Sequence, residues 1–197
     1  MFAPRIMADQ IIASIGFHGC YGLSAAFDFR AAIEASRLVN TFSDDPLNIL
    51  LINPGDIRHI FLTISRRRRG TAKHFRKLRP LHFYLMESPV EVLTRDLFLL
   101  EVLHDFEVPI RQRANVFLET YGNCRVQCRT SRYIEQLGYQ LRELLTRGTG
   151  RLEDSVNFSF MRYKDKDEIE AALGNYSSKV EFDIDGFRDQ RIRGTLV

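Results

Sequence analysis

Two short apolar runs, Leu47–Ile52 and Leu81–Met86, stand out against a chain that otherwise mixes polar and apolar positions. Each has strand length and each ends abruptly, the first at the turn-forming Asn53-Pro54-Gly55-Asp56 and the second at Glu87. Beyond the first turn, Ile57, Ile60, Phe61 and Ile64 fall at i, i+3, i+4 and i+7, the spacing of one helical face. After the second run, Ser88 reads as an N-cap with Pro89 at the first helical position and Glu91 three residues beyond the cap. Val90, Leu93, Leu97 and Leu100 line one face of the helix that follows. Val92, Leu99, Val102, Leu103 and Phe106 widen its apolar surface over much of the circumference.

Further along, Ile110, Ala114, Phe117, Leu118 and Tyr121 predict a helix that Gly122-Asn123 ends. Ile134, Leu137, Leu141, Leu144 and Leu145 predict another, closed by Gly148 and Gly150. Val156, Phe158 and Phe160 alternate with Asn157 and Ser159, the period of a strand. Asp165 and Glu168 have capping-box spacing ahead of a short helix closed by Gly174, and a helix is also expected around residues 29–38. Strands alternating with helices predict an α/β fold, a three-layer Rossmann-like arrangement of a mostly parallel sheet flanked by helices. Residues 46–178 would form this domain, with 1–45 as an N-terminal extension packing on the core. Leu47–Ile52 and Leu81–Met86 would be adjacent parallel strands at the sheet centre, buried on both faces, so Leu50→Asp should unfold the domain.

Composition narrows the class without changing this picture. In 197 residues, 45% hydrophobic and 27% charged content exclude wholesale disorder and collagen-like sequence. A net charge of +3 is too small to make nucleic acid the default partner, so any basic argument must be local. Three cysteines, Cys20, Cys124 and Cys128, fit neither a disulfide framework nor a four-ligand zinc site and point to a reducing compartment. Asp9 and Gln10 interrupt the apolar residues 6–12, and no stretch approaches a membrane span; the reading is a soluble, cytoplasmic protein.

The candidate chemistry lies at the ends of the two strands. Gly55 and Asp56 occupy the turn that opens onto a helix N-terminus in doubly wound folds, and Glu87 stands where an acid can accept hydrogen bonds from ribose hydroxyls. This placement would suit a nucleoside cofactor, as in class I methyltransferases, and gives Gly55, Asp56 and Glu87 as vestigial cofactor-binding residues. The Gly-rich loop is absent, however, and a structural turn with a carboxylate near a helix start accounts for the same residues. Residues 66–79 begin with Arg66-Arg67-Arg68-Arg69 and continue through Lys73, His74, Arg76, Lys77 and Arg79 without an acid. They could grip phosphates or an acidic partner, or simply form a solvated basic connection. Cys124 and Cys128 lack nearby histidines, Asp183 and Asp185 lack the later ligands of a calcium loop, and His18, His59, His82 and His104 have no nucleophile at a recognisable motif. No catalytic set, metal site or cofactor follows from spacing.

Several ordered blocks carry a resemblance. Tyr21-Gly22-Leu23-Ser24-Ala25-Ala26-Phe27-Asp28-Phe29, Leu47-Asn48-Ile49-Leu50-Leu51, Gly55-Asp56-Ile57-Arg58-His59-Ile60 and Phe83-Tyr84-Leu85-Met86-Glu87 resemble the N-terminal region of the dynein axonemal assembly factor 3 family. Phe117-Leu118-Glu119-Thr120-Tyr121-Gly122-Asn123, Arg162-Tyr163-Lys164-Asp165-Lys166-Asp167 and Phe187-Arg188-Asp189-Gln190-Arg191-Ile192-Arg193 resemble its later blocks. Tyr21 stands where the family usually has tryptophan, and Ala25 where it usually has proline. The resemblance implies a cytoplasmic factor for preassembly of axonemal dynein arms in cilium and flagellum biogenesis, without established enzymatic activity. It implies axonemal dynein chains, chaperones and co-chaperones as partners, no cofactor, and a degenerate methyltransferase-like N-terminal domain. It also implies that residues 179–197 begin a connection to a second domain missing from this chain. Two rival functions remain open at this point: an S-adenosylmethionine-dependent methyltransferase using Gly55, Asp56 and Glu87, and a module binding RNA or acidic protein through residues 66–79.

Overall fold

The computed structural model describes residues 24–36, 45–66, 80–86, 90–122, 126–177 and 189. The chain divides into two compact units, Tyr21–Ser88 and, as the second, Met1–Cys20 with Pro89–Val197.

In the smaller unit the order is α1 (Phe29–Ser36), β1 (Leu47–Ile52), α2 (Arg58–Ser65) and β2 (Leu81–Met86). Asp28 starts α1 by accepting the Arg30 and Ala31 N–H groups at 3.1 and 3.3 Å, which satisfies donors the first helical turn leaves open. The two strands pair in parallel from Leu47↔Leu81 to Ile52↔Met86, as the apolar runs predict. Bonds from Leu47 N–H to the Pro80 carbonyl and from Asn53 N–H to the Met86 carbonyl extend the ladder at both ends. Asn53 at φ 46° and Gly55 at φ 76° turn the chain from β1 into α2, in the left-handed region that glycine and asparagine tolerate best. Phe29 lies 5.8 Å from Phe83 and 6.2 Å from His59, ring centre to ring centre, so α1, α2 and β2 meet on one side of the sheet.

The larger unit is helical, with α3 (Val90–His104), α4 (Ile110–Gly122), α5 (Cys128–Arg147) and α6 (Tyr163–Ser177). Leu97, Phe98 and Val102 of α3, Val116 of α4, Ile134, Leu137, Leu141, Leu144 and Leu145 of α5, and Ile169 and Leu173 of α6 form one core. The α5 residues sit three and four apart, so one stripe meets the other helices. Glu119 Oε2 accepts the Gln127 N–H at 2.9 Å just before α5 begins. Gly148 ends that helix at φ 72°, where its N–H reaches the Leu144 carbonyl at 3.0 Å.

Five expectations are corrected. The fold is mostly helical with a two-stranded parallel sheet, and not a three-layer Rossmann-like sheet. The stripes of α5 and α6 pack on each other and on α3, and α4 packs on α3; they are not crossovers between strands. Val156, Phe158 and Phe160 form no strand: Ser155 and Val156 N–H groups bond the Leu152 carbonyl, and Asn157 Oδ1 accepts the Ser159 N–H at 2.7 Å. This turning segment is pinned by fully buried Leu152 and by Val156, Phe158 and Met161 against the core, so apolar burial here is met without a ladder. Finally, among the described residues helices of the smaller unit pack on one face of β1 and β2. Leu50, 59% exposed, points away from α1 and α2, and Leu50→Asp carries little burial penalty. The helix over Tyr163–Ser177 also runs through Gly174, because Tyr176 has a ring to meet in Phe98 at 4.4 Å.

Candidate functional site

Asp56 is the site residue whose geometry is most fully defined. It is buried immediately after Gly55, and its Oδ1 accepts the Arg58 N–H at 3.0 Å while Oδ2 pairs with Arg58 Nη1 at 3.1 Å. The Arg58 Nη2 group donates to Ser24 Oγ at 3.0 Å, so the carboxylate, the start of α2 and the approach to α1 form one network. Gly55 and Asp56 thus share the C-terminal edge of the sheet, as the sequence places them. Glu87, the residue after Met86, lies outside the described residues, as do residues 67–79 of the basic run, Cys20, Cys124, Asp183 and Asp185. Arg66 and Cys128 are exposed. Among the described residues no group of three or more His, Cys, Asp or Glu side chains is placed to hold a metal ion.

His59, on the same helix, straps the segment ahead of α1 to α2. Its Nδ1 accepts the Phe27 N–H at 2.9 Å, the Phe29 N–H donates to Thr63 Oγ1 at 3.1 Å, and the Thr63 hydroxyl donates to the His59 carbonyl at 2.8 Å. Partial burial first, and the Arg58 charge second, hold the imidazole below its ordinary 6.5, against an opposing pull from Asp56. A depressed folded pKa means that stabilisation by the neutral ring is present above the ordinary value and lost as pH falls through the folded one. In an NMR titration, the Phe27 amide should lose protection as His59 protonates, since an imidazolium offers that N–H no acceptor. A Phe27 amide that keeps its protection after His59 has become charged would refute this strap.

The helical unit holds a second polar cluster that sequence reading missed. Glu101 and Asp105, one turn apart near the end of α3, are both buried. Arg151 joins them, with Nη1 at 2.6 Å from Glu101 Oε1 and Nη2 at 3.5 Å from Asp105 Oδ1. The Tyr133 hydroxyl of α5 donates to Asp105 Oδ2 at 2.6 Å. Burial raises the Glu101 carboxyl above its ordinary range, and Arg151 opposes that rise. Burial first and the bond to Asp105 second push the Tyr133 phenol well above its own. The one signal in the sequence is the i, i+4 acid pair set into the largely apolar stretch from Leu97 to Phe106. These groups pair with one another and tie α3, α5 and the segment after α5 together, although the buried Asp105 Oδ1 accepts no hydrogen bond and has only the Arg151 charge beside it. A shallow surface groove of about 310 Å³, lined by Tyr139, Arg142, Glu143, Thr146, Arg147 and Glu170, is likewise self-neutralised. Arg142 pairs with Glu170 at 2.8 Å and Arg147 with Glu143 at 2.7 Å. Among the described residues no helix is long and apolar enough to cross a membrane.

The family model described as a domain of unknown function, DUF4470, matches residues 20–126. The chain is similar to the protein named Dynein axonemal assembly factor 3 of Xenopus tropicalis, 27% identical over 188 residues, which cover 89% of this chain and 40% of that protein. The corresponding homolog of Chlamydomonas reinhardtii is 29% identical over 177 residues, 79% of this chain and 25% of that protein. For the Homo sapiens protein of the same name the values are 24% over 189 residues, 89% of this chain and 34% of the relative. The chain therefore spans well under half the length of these relatives. No solved structure matches the chain.

Proposed function

The chain belongs to the DUF4470 family, and we propose that it takes part in the assembly of axonemal dynein, acting through protein contacts rather than catalysis. The observation that carries this reading is similarity over 79 to 89% of the chain to relatives from a green alga and a frog that bear one name, Dynein axonemal assembly factor 3. On this reading the partners are axonemal dynein chains with their chaperones and co-chaperones, and the place of action is the cytoplasm, before delivery to the axoneme. Gly55, Asp56 and Glu87 then serve a turn and a strand end rather than a cofactor. What supports that assignment is the engagement of both Asp56 oxygens by Arg58, which leaves the carboxylate committed to the start of α2.

Disrupting the gene in a ciliated or flagellated source is the direct test. Axonemes should lack dynein arms and beat poorly, while the tagged protein is found in the cytoplasm and restores the arms on re-expression. Full arms and normal beating after its loss would overturn the reading.

A further inference from the structure

Helix α4 packs on α3 through one face and, among the described residues, leaves the opposite face exposed. Val116 and Phe117 turn into the helical core, and Glu119 is buried on its bond to the Gln127 N–H. Ile110, Ala114, Leu118 and Gly122 stand exposed at a spacing of four, the row of positions that forms a ridge along a helix. Ile110 and Leu118 are 75 and 63% exposed, and Phe106, just before the helix, is 77% exposed. Phe106 is held in place. The Arg113 guanidinium, which donates to the Leu103 carbonyl at 2.6 Å, lies 5.0 Å from the centre of its ring, and the His104 ring is 6.3 Å away. An aromatic side chain fixed beforehand loses less freedom on contact than a free one. At the far end of the ridge, a Cβ added to Gly122 would meet no atom within 4 Å. All of these positions lie in the helical unit.

The order of sizes along the ridge is self-complementary. From Phe106 it runs large, large, small, large and small through Ile110, Ala114, Leu118 and Gly122. Ala114 stands at the middle, with Ile110 and Leu118 each about 6 Å to one side of it along the helix. A second copy turned antiparallel about Ala114 therefore sets its Leu118 against Ile110, its Ala114 against Ala114 and its Gly122 toward Phe106. The small residues at the axis let the two helices approach closely, and each phenylalanine meets the one position without a side chain. A parallel pairing would instead leave Gly122 against Gly122, an unfilled gap. At roughly 170 Å² for a fully exposed large apolar side chain, Phe106, Ile110 and Leu118 present about 370 Å² on each copy, a size that on monomers is often functional. Interfaces are about 57% apolar, so a contact centred on this patch buries about 650 Å² of each copy and about 1,300 Å² in total, at the lower end of the range for a stable interface.

We propose that two copies of this chain associate through α4, the two helices lying antiparallel about a twofold axis at Ala114. Ile110 of each copy meets Leu118 of the other, so the same patch serves both and the set closes at two. Arg111 and Asn115, exposed beside the ridge, form the polar rim.

Sedimentation velocity and light scattering of the 197-residue chain between about 1 and 100 μM test this directly. The mass should rise from that of one chain to that of two. Ile110→Glu and Leu118→Glu should each weaken association at least about tenfold. Melting at the dilute end of the range, where the wild type is a single chain, should stay unchanged in both because these side chains are exposed. Gln112→Glu, a charge placed off the ridge on the same helix, should leave the dimer intact. Mixing Ile110→Glu with Leu118→Lys reads the register. In the mixed pair one contact of Ile110 with Leu118 is unaltered, and the other brings together two introduced charges of opposite sign, so the mixture should dimerise more tightly than either variant alone. A wild type that stays monomeric, a dimer that Ile110→Glu and Leu118→Glu leave intact, or a mixture no tighter than its components would each overturn the proposal. Melting lowered at high dilution by either glutamate substitution would put another part of this chain on the ridge and would overturn it as well.

Discussion

Phe98→Ala should lower the unfolding free energy of the helical unit by about 3–5 kcal/mol, a large part of the roughly 5–15 kcal/mol that stabilises a domain. Phe98 is fully buried in α3 and meets the Tyr176 ring of α6 at 4.4 Å, within a core to which all four helices contribute. Truncation removes the ring from the place where α3 and α6 meet, and neighbours held by their own helices cannot collapse to fill the space. Urea denaturation followed by circular dichroism measures the loss. The informative control is Leu50→Asp, which should fall within about 0.5 kcal/mol of wild type because its side chain already faces water. Equal losses in the two variants would show that the core lies elsewhere than in the bundle.

Arg151→Met should cost about 3–5 kcal/mol near neutral pH, because it leaves the buried Glu101 and Asp105 carboxylates without their shared cation. The pH dependence separates this cause from lost packing. Glu101 has a folded pKa above its ordinary 4.5, so the folded state holds its proton more tightly than the unfolded chain does. The associated stability is fully present below the unfolded value and is lost as pH rises through the folded one. Arg151 opposes the rise through charge and hydrogen bonding, so removing it extends that window upward. The variant should therefore lie closest to wild type in mild acid and furthest from it at neutral pH and above. A deficit that is constant across the range would assign Arg151 a packing role alone.

The parts of this structure that were legible in the sequence are those whose ends carry their own chemistry. Both strands begin and end where the apolar runs do, since Asn53 and Gly55 supply the left-handed turn after β1 and Pro80 stands before β2. The helix stops at Gly122 and Gly148 follow from the same local logic. What could not be read was the number of layers. A run such as Leu47–Ile52 has the same composition whether one face or both are packed, and only the structure shows Leu50 turned outward while Leu51 is buried. Three alternating residues at Val156, Phe158 and Phe160 meet the period of a strand, yet Asn157 can satisfy a neighbouring amide by itself and the chain turns instead. Of the polar sites, Asp56 was legible because its partner Arg58 is two residues away. The Glu101 network was not, because Arg151 is 50 residues from its partner and Tyr133 is 28 residues from Asp105.

The sheet has a consequence for how the chain is made. Its register joins Leu47 to Leu81 and Ile52 to Met86, a constant offset of 34 residues (81 − 47). Closing a loop of that length costs about 3 kcal/mol in chain entropy before any ladder bond forms. A ribosome adding about 5–20 residues per second delivers β2 roughly 2–7 s after β1. Throughout that interval Leu47–Ile52 emerges as an apolar strand with no partner to pair with, in a form prone to join any other unpaired strand nearby. Nascent chains of this protein are accordingly expected to depend on holding factors at the ribosome at the stage when β1 is out and β2 is not.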